Sequence, residues 1–143
     1  MRLFIDANVL VSVVNKEYPL FTHASRILSL VGKKEFQLYT SPLCLAIAFY
    51  FAQKKSKKTA KEKIALLAQH LLIAPITTIE VQKAAADKAI HDFEDGMEYH
   101  SALAAGCDCI ITEDVDDFYF SSVEVLKCAD FFKTYLAGNN KSD

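Results

Sequence analysis

The sequence predicts an α/β fold, a three-layer α/β/α sandwich in which helices cover both faces of a central, mainly parallel sheet of about five strands. Short apolar runs typical of buried strands alternate with longer stretches that have helical hydrophobic spacing. This order implies right-handed crossovers between parallel strands. The 143 residues are 52% hydrophobic with only four Gly and three Pro, which fits one packed core and excludes a disordered or collagen-like chain.

The first half of the chain contains three predicted strands and four predicted helices. The apolar run at 2–5 ends at a carboxylate, as expected for a buried strand, and residues 35–40 alternate in polarity. Pro19 fits the first turn of a helix, and Ser41 fits a helix N-cap. The predicted strands are 2–5, 35–40 and 72–74, and the predicted helices are about 8–16, 19–32, 42–52 and 57–71.

The second half contains three predicted helices and two predicted strands. Thr77 or Thr78 fits an N-cap, and Gly106 fits a helix end. The predicted helices are about 77–88, 92–106 and 128–137, and the predicted strands are 108–111 and 123–126. In the helix at 92–106, the predicted apolar face comprises Phe93, Met97, His100, Leu103 and Ala104. We interpret residues 1–138 as a single domain, followed by a short polar C-terminal tail at 139–143.

The net charge of −2 conceals two oppositely charged halves. Residues 1–79 hold eleven basic and four acidic side chains, a net charge of +7, whereas residues 80–143 hold five basic and fourteen acidic side chains, a net charge of −9. Such asymmetry suggests charged partners. Solvated helix faces that differ in sign explain the same count equally well.

The four cysteines are predicted to be buried, reduced thiols. Cys44, Cys107, Cys109 and Cys128 form no CxxC pair, and the four histidines are not spaced to complete a zinc site. The apolar N-terminus is interrupted by acidic and amide side chains, and no stretch approaches the roughly 20 apolar residues of a membrane span. We therefore expect a cytoplasmic protein with no membrane partner.

Acidic side chains from three segments are predicted to meet at one edge of the sheet. Ligands of parallel α/β sheets bind at the carboxyl ends of the strands, near the point where the strand order reverses. Asp6 follows the first strand, and an acidic turn follows the strand at 108–111. The acids in this turn and at the start of the preceding helix are Asp114, Asp116, Asp117, Asp92, Glu94, Asp95 and Glu98.

Clustered carboxylates repel one another and favour a bound cation. At about 4 Å and an effective dielectric constant near 20, the repulsion is on the order of 4 kcal/mol per pair. Oxygen ligands without His or Cys select Mg²⁺ or Mn²⁺, which supports phosphodiester hydrolysis. Singly, each acid has a structural explanation as a helix cap, a partner of a helix dipole or part of a solvated turn.

Three motifs identify a family resemblance. Residues 4–10 (FIDANVL), 92–99 (DFEDGMEY) and 110–118 (IITEDVDDF) occur in the order and at the separation typical of the PIN domain. The chain resembles this nuclease fold of bacterial VapC-type toxins and RNA-processing enzymes over roughly residues 2–130. The resemblance implies a Mg²⁺- or Mn²⁺-dependent endoribonuclease that acts on an RNA substrate. It also implies that the protein forms a homodimer and has an antitoxin protein as a partner.

The resemblance also assigns site residues. It implies that the metal is held by Asp6, Asp95, Asp114 and Asp117, which are the catalytic acids. Asn8 would orient the site and Thr112 would support it from the strand end. Asp92 and Glu94 are additional acids nearby. His91 and His100 are interpreted as packing or surface residues.

One position departs from the family pattern. Many PIN domains carry a Glu on the third helix, and Ile47 occupies the matching place, with no acid between Glu35 and Glu62. The chain resembles a subset that lacks this Glu. The alternative function is therefore a catalytically weakened PIN domain that binds RNA or protein. A phosphoacceptor receiver domain is a third hypothesis, and the apolar end of the strand at 72–74 argues against it.

A lysine-rich segment precedes the middle of the chain. Lys54, Lys55, Lys57 and Lys58 are predicted to contact the RNA backbone, because each neutralised phosphate adds salt-dependent affinity. The alternative is a solvated helix start. The apolar residues 49–51 just upstream are either core or a partner surface.

Overall fold

A computed structural model describes residues 1–136 and confirms the predicted fold class. Five parallel strands form one sheet in the order β3-β2-β1-β4-β5. The strands are β1 (Arg2–Ile5), β2 (Gln37–Thr40), β3 (Leu72–Ile73), β4 (Cys109–Ile111) and β5 (Glu124–Leu126). The predicted domain end at residue 138 and the tail at 139–143 lie outside the described residues.

Seven α-helices connect and cover the strands of the described chain. They are α1 (Ala7–Val14), α2 (Leu20–Leu28), α3 (Pro42–Lys55), α4 (Ala60–His70), α5 (Thr78–Ala86), α6 (Phe93–Ala104) and α7 (Cys128–Tyr135). Ser41 and Thr77 cap α3 and α5 through their hydroxyls, and the cap of α5 is a reciprocal capping box with Glu80. None of the helices within residues 1–136 is long and apolar enough to cross a membrane.

The strand order places β1 at the centre of the sheet. Strands β2 and β3 lie on one side of it, and the chain then returns to form β4 and β5 on the other side. The order therefore reverses between β1 and β4, whose residues pair in parallel register up to Ile5 and Ile111. The carboxyl ends of these two strands mark the expected ligand site of such a sheet.

The core consists of the strands and the helix faces that lie on them. The side chains of Leu3, Phe4, Ile5, Ile110 and Ile111 are fully buried, as expected for strands that are covered on both faces. All four cysteines are buried and free, as predicted. Because β1 and β4 are held in this core, the residues that follow them are placed on a rigid support.

The predicted apolar face of α6 is wrong. Phe93 and Leu103 are 46% and 37% exposed, whereas the buried residues of this helix include Glu98, Tyr99 and Ala102. The helix is shorter than predicted, and Asp92 is its N-cap rather than its first residue. Two different faces of α6 carry apolar residues. The face that hydrophobic spacing predicted to be buried is the one exposed to solvent.

Candidate metal centre

Asp6 lies at the point where the strand order reverses. It follows β1 directly, and its backbone N–H donates to the carbonyl of Ile111 on β4 (3.0 Å). Its side chain is 6% exposed and caps α1, since Oδ1 accepts a 2.7 Å hydrogen bond from the backbone N–H of Ala7. The cap interpretation of Asp6 is thus correct, and it leaves the carboxylate at the carboxyl edge of the sheet.

Thr112 and Asn8 connect the first and last acidic segments. The fully buried Thr112 hydroxyl donates to Oδ2 of Asp6 (2.7 Å) and accepts from Asn8 Nδ2 (3.0 Å) and from the backbone N–H of Asp114 (3.1 Å). Asn8 Nδ2 also lies 3.1 Å from Oδ2 of Asp114. One hydrogen-bond network therefore orients two of the predicted acids, Asp6 and Asp114.

An acidic cleft of about 520 Å³ opens above this network. Asp6, Asn8 and the other five acids that the sequence analysis named as ligands or neighbours all line it, namely Asp92, Glu94, Asp95, Asp114 and Asp117. Glu98 and the exposed Glu17 line it as well. No Lys, Arg or His is among the described residues that line this cleft. The negative charges therefore face one another without a protein cation between them.

Glu98 was predicted to lie with the other acids at this edge of the sheet, but it was not among the predicted metal ligands or their neighbours. Its side chain is 2% exposed, and Oε2 has no hydrogen-bond partner among the described residues. Ligand atoms of Asp6, Cys44 and Glu98 all lie within 4.8 Å of one another. The available signal was the spacing, because residues three apart on a helix share a face and Glu98 follows Asp95 by three positions.

Burial and mutual repulsion raise the pKa values of several acids. Desolvation, with further contributions from the charges of Asp92 and Asp6, raises the pKa of Asp95 to about 7. Desolvation and the neighbouring Asp6 raise the pKa of Glu98 to about 11. The pKa of Glu94 is raised for the same reasons, desolvation first. Without a cation, part of the cluster is therefore protonated near neutral pH.

Helix α3 contributes no acid to the cleft. Ile47 lines it, and Cys44, one turn earlier on the same helix, is fully buried with its Sγ 3.9 Å from Oδ1 of Asp6. Burial raises the pKa of the Cys44 thiol well above its ordinary value, so that it is neutral. The part of the site that this helix covers is therefore uncharged.

The four predicted RNA-binding lysines are exposed and lie outside the cleft. Lys54 and Lys55 end α3, and Lys57 and Lys58 lie in the loop before α4. Lys55 Nζ donates to the carbonyl of Asn15, and Lys54 Nζ lies 4.4 Å from the ring centroid of Tyr50 and 5.5 Å from that of Phe51. Phe51 lines the cleft, so the lysine segment begins on the same helix within one turn of a residue at the edge of the cleft.

A parallel sheet with a carboxylate-lined cleft at its reversal point defines an α/β domain suited to hard cations. The family model of the PIN domain matches residues 2–116, and the chain belongs to this family. It is 29% identical to "Ribonuclease VapC1" of Aquifex aeolicus (strain VF5) over 134 residues, which cover 91% of this chain and 92% of that protein.

Similar folds occur in toxin structures. The VapBC2 complex of Rickettsia felis, bound to a DNA fragment from its promoter, matches with a TM-score of 0.67 and 18% identity over 89% of this chain and 98% of that chain. VapC20 of Mycobacterium tuberculosis, a sarcin-ricin loop cleaving toxin, matches with a TM-score of 0.67 and 18% identity over 86% of this chain and 98% of that chain. At this identity the two structures establish the shared fold.

Proposed function

We propose that this PIN domain is a toxin-like endoribonuclease that hydrolyses RNA phosphodiester bonds with Mg²⁺ or Mn²⁺. Asp6, Asp95, Asp114 and Asp117 would hold the ion, and Asp92 and Glu94 would add negative charge beside it. The observation that carries this proposal is the buried carboxylate of Asp6, which is hydrogen-bonded on both oxygens at the reversal point and shares a cleft with the other three acids. The similarity to a protein named as a ribonuclease supports it.

The donor set fits a hard divalent cation. The ligand atoms of the four acids are all carboxylate oxygens, which suit Mg²⁺ and Mn²⁺ better than softer metals. The cleft lacks basic side chains in the part of the chain that the structure describes, so a bound cation would offset the burial and the mutual repulsion that together raise the pKa of Asp95. A divalent ion stabilises negative charge on a phosphate and lowers the pKa of an attacking water.

The protein's own residues prepare this site. Thr112 and the Ala7 N–H occupy one lone pair on each Asp6 oxygen and fix the carboxylate plane. Asn8 holds Asp114 and the backbone of Glu113 in place through its amide. The Asp95 carboxyl must release its proton for the cation to bind, so we expect binding to strengthen as the pH rises through about 7.

We further propose that RNA and protein partners use the surface next to the cleft. Lys54, Lys55, Lys57 and Lys58 would contact RNA phosphates.

Tyr50 and Phe51 are 55% and 43% exposed on α3, a surface suited to an antitoxin or to a second copy in a homodimer. The similarity to the structures of VapBC2 from Rickettsia felis and VapBC-1 from nontypeable Haemophilus influenzae supports an antitoxin partner. We propose a cytoplasmic location, where four free thiols stay reduced.

RNA cleavage by the purified protein tests the proposed function. We expect cleavage of RNA with Mn²⁺ or Mg²⁺, none with EDTA, and a loss of at least about a hundredfold in Asp95→Asn. The Glu80→Gln variant is the control, because Glu80 is a buried acid that belongs to the capping box of α5 and is not among the described residues that line the cleft. RNA binding without cleavage under all metal conditions would instead support the binding-module alternative that Ile47 motivates.

A further inference from the structure

Glu98 is buried beside Asp6 without a hydrogen-bond partner for one of its oxygens. It is 2% exposed and lines the acidic cleft from α6, while Ile47 lines the same cleft from α3. We propose that Glu98 is a metal ligand of this site and takes the place of the acid that α3 lacks. This inference rests on the proposed function and adds a residue that neither the motif pattern nor the family resemblance assigned.

The burial of Glu98 leaves its Oε2 without a hydrogen-bond partner among residues 1–136. A buried carboxyl oxygen without a hydrogen bond costs free energy, and most such groups in folded proteins are satisfied. Glu80 shows how this chain satisfies a buried Glu, since its Oε1 accepts from both the backbone N–H and the hydroxyl of Thr77 (2.7 and 2.8 Å). Glu98 Oε2 has no such donors among the described residues, and a cation in the cleft would satisfy it.

The neighbours of Glu98 are consistent with a ligand position. Its carboxyl lies with ligand atoms of Asp6 and Cys44 in a group that spans no more than 4.8 Å. A cation with oxygen ligands at about 2.1 Å brings two of them within roughly 4.2 Å of each other, so small side-chain shifts suffice. Oxygens of Asp6 and Glu98 can therefore serve one ion, whereas the neutral Cys44 thiol adds no charge.

A purely structural role predicts different behaviour. If Glu98 only donated a hydrogen bond toward Asp6, the neutral amide of Gln would replace it and leave cation affinity unchanged. If Glu98 is a ligand, it binds the cation as a carboxylate, so a Gln that cannot ionise weakens cation binding, and an acid introduced at position 47 restores it. Cation affinity is therefore the measurement that separates the two roles, and it does not depend on finding an RNA substrate.

Titration calorimetry with Mn²⁺ alone tests the inference. We expect Glu98→Gln to raise the Mn²⁺ Kd by at least about tenfold, Glu80→Gln to leave it unchanged, and the Glu98→Gln/Ile47→Glu double variant to recover most of the loss. Glu98→Asp, which withdraws the carboxylate by one methylene, should also bind more weakly and tests the claim if the Gln variant does not fold. Kd values for both Glu98 variants within twofold of wild type would overturn the inference.

Asp6→Asn distinguishes failure of the inference from failure of the proposed function. Loss of Mn²⁺ binding in Asp6→Asn together with unchanged binding in the Glu98 variants would remove Glu98 from the site and leave the proposed function standing. Unchanged binding in Asp6→Asn as well would overturn both.

Discussion

The hydroxyl of Thr112 donates a 2.7 Å hydrogen bond to Oδ2 of Asp6 and so joins the end of β4 to the end of β1. Both side chains are nearly or fully buried, and the Thr112 oxygen also accepts from Asn8 and from the backbone of Asp114. The position of the first acid therefore depends on a hydroxyl more than a hundred residues away in the chain.

Replacement of Thr112 by Val should disorder this network. The Val side chain has a similar volume but no hydroxyl, so the buried Asp6 Oδ2, the half-buried Asn8 Nδ2 and the backbone N–H of Asp114 each lose a partner. We expect RNA cleavage to fall by about 10- to 100-fold and the free energy of unfolding to fall by about 1–3 kcal/mol. Thr112→Ser keeps the hydroxyl and is the matched control for both measurements, which are cleavage kinetics and urea unfolding. Equal activity of the Val and Ser variants would contradict the role given to this bond.

The raised pKa of Asp95 predicts the pH dependence of the metal-free protein. Unfolded Asp95 loses its proton near pH 4, whereas the folded residue keeps it up to about pH 7. Between these values the folded state binds more protons, so the free energy of unfolding contributed by Asp95 falls as the pH rises. Thermal unfolding in EDTA between pH 4.5 and 8 should therefore show a smaller decline in Tm for Asp95→Asn than for wild type.

Other groups with shifted pKa values, Glu94, Glu98 and His100 among them, affect the same pH range, so the comparison between variants is needed. Burial lowers the pKa of His100, which makes the protein more stable as the pH rises and opposes the effect of Asp95. The pKa of Glu98, raised to about 11, extends the decline in stability beyond neutral pH. Because the charge of Asp95 also helps to raise the pKa of Glu98, the difference between wild type and Asp95→Asn reports Asp95 together with its coupling to Glu98. Identical pH profiles for the two proteins would show that Asp95 ionises normally.

Charge reversal of the exposed loop lysines should weaken RNA binding in a salt-dependent way. Each phosphate contact to a single strand contributes about 0.7 to the slope of log K against log salt, so Lys57→Glu/Lys58→Glu should lower that slope by about 1.4. Lys33→Glu/Lys34→Glu is the matched control. These exposed lysines precede β2 and therefore lie toward the amino ends of the parallel strands, opposite the carboxyl ends where the cleft is. RNA affinity is measured by fluorescence anisotropy, with both double variants made in the Asp6→Asn protein, because this protein is expected not to cleave the RNA. Equal losses in both double variants would indicate only a general charge effect.

The sequence was most informative where a residue follows a strand. Asp6, Thr112 and Asp114 come directly after β1 and β4 in the chain, and the carboxyl ends of neighbouring parallel strands necessarily meet. The fold class and the meeting of acids from three segments could therefore be predicted. The hydrogen bonds among Asp6, Asn8 and Thr112 could not, because they depend on side-chain orientation across the sheet.

Glu98 shows where hydrophobic periodicity gives the wrong result. A charged residue in the middle of a helix is normally assigned to the solvent face, and this rule placed Phe93 and Leu103 inward instead. The rule fails when a functional site lies beneath the helix, because a buried carboxylate there faces other charged groups rather than apolar core. The spacing of Asp95 and Glu98 by three residues was the better guide to the face that lines the cleft.

RNA cleavage by Asp6→Asn in the presence of saturating Mn²⁺ tests the metal-dependent site most directly. The substitution keeps the size of the side chain and one acceptor oxygen but removes the charge at the centre of the hydrogen-bond network. We predict at least a roughly thousandfold loss of the cleavage rate, in a protein whose circular dichroism and Tm in EDTA show that it is folded. Cleavage at the wild-type rate by the folded variant would contradict the proposed site.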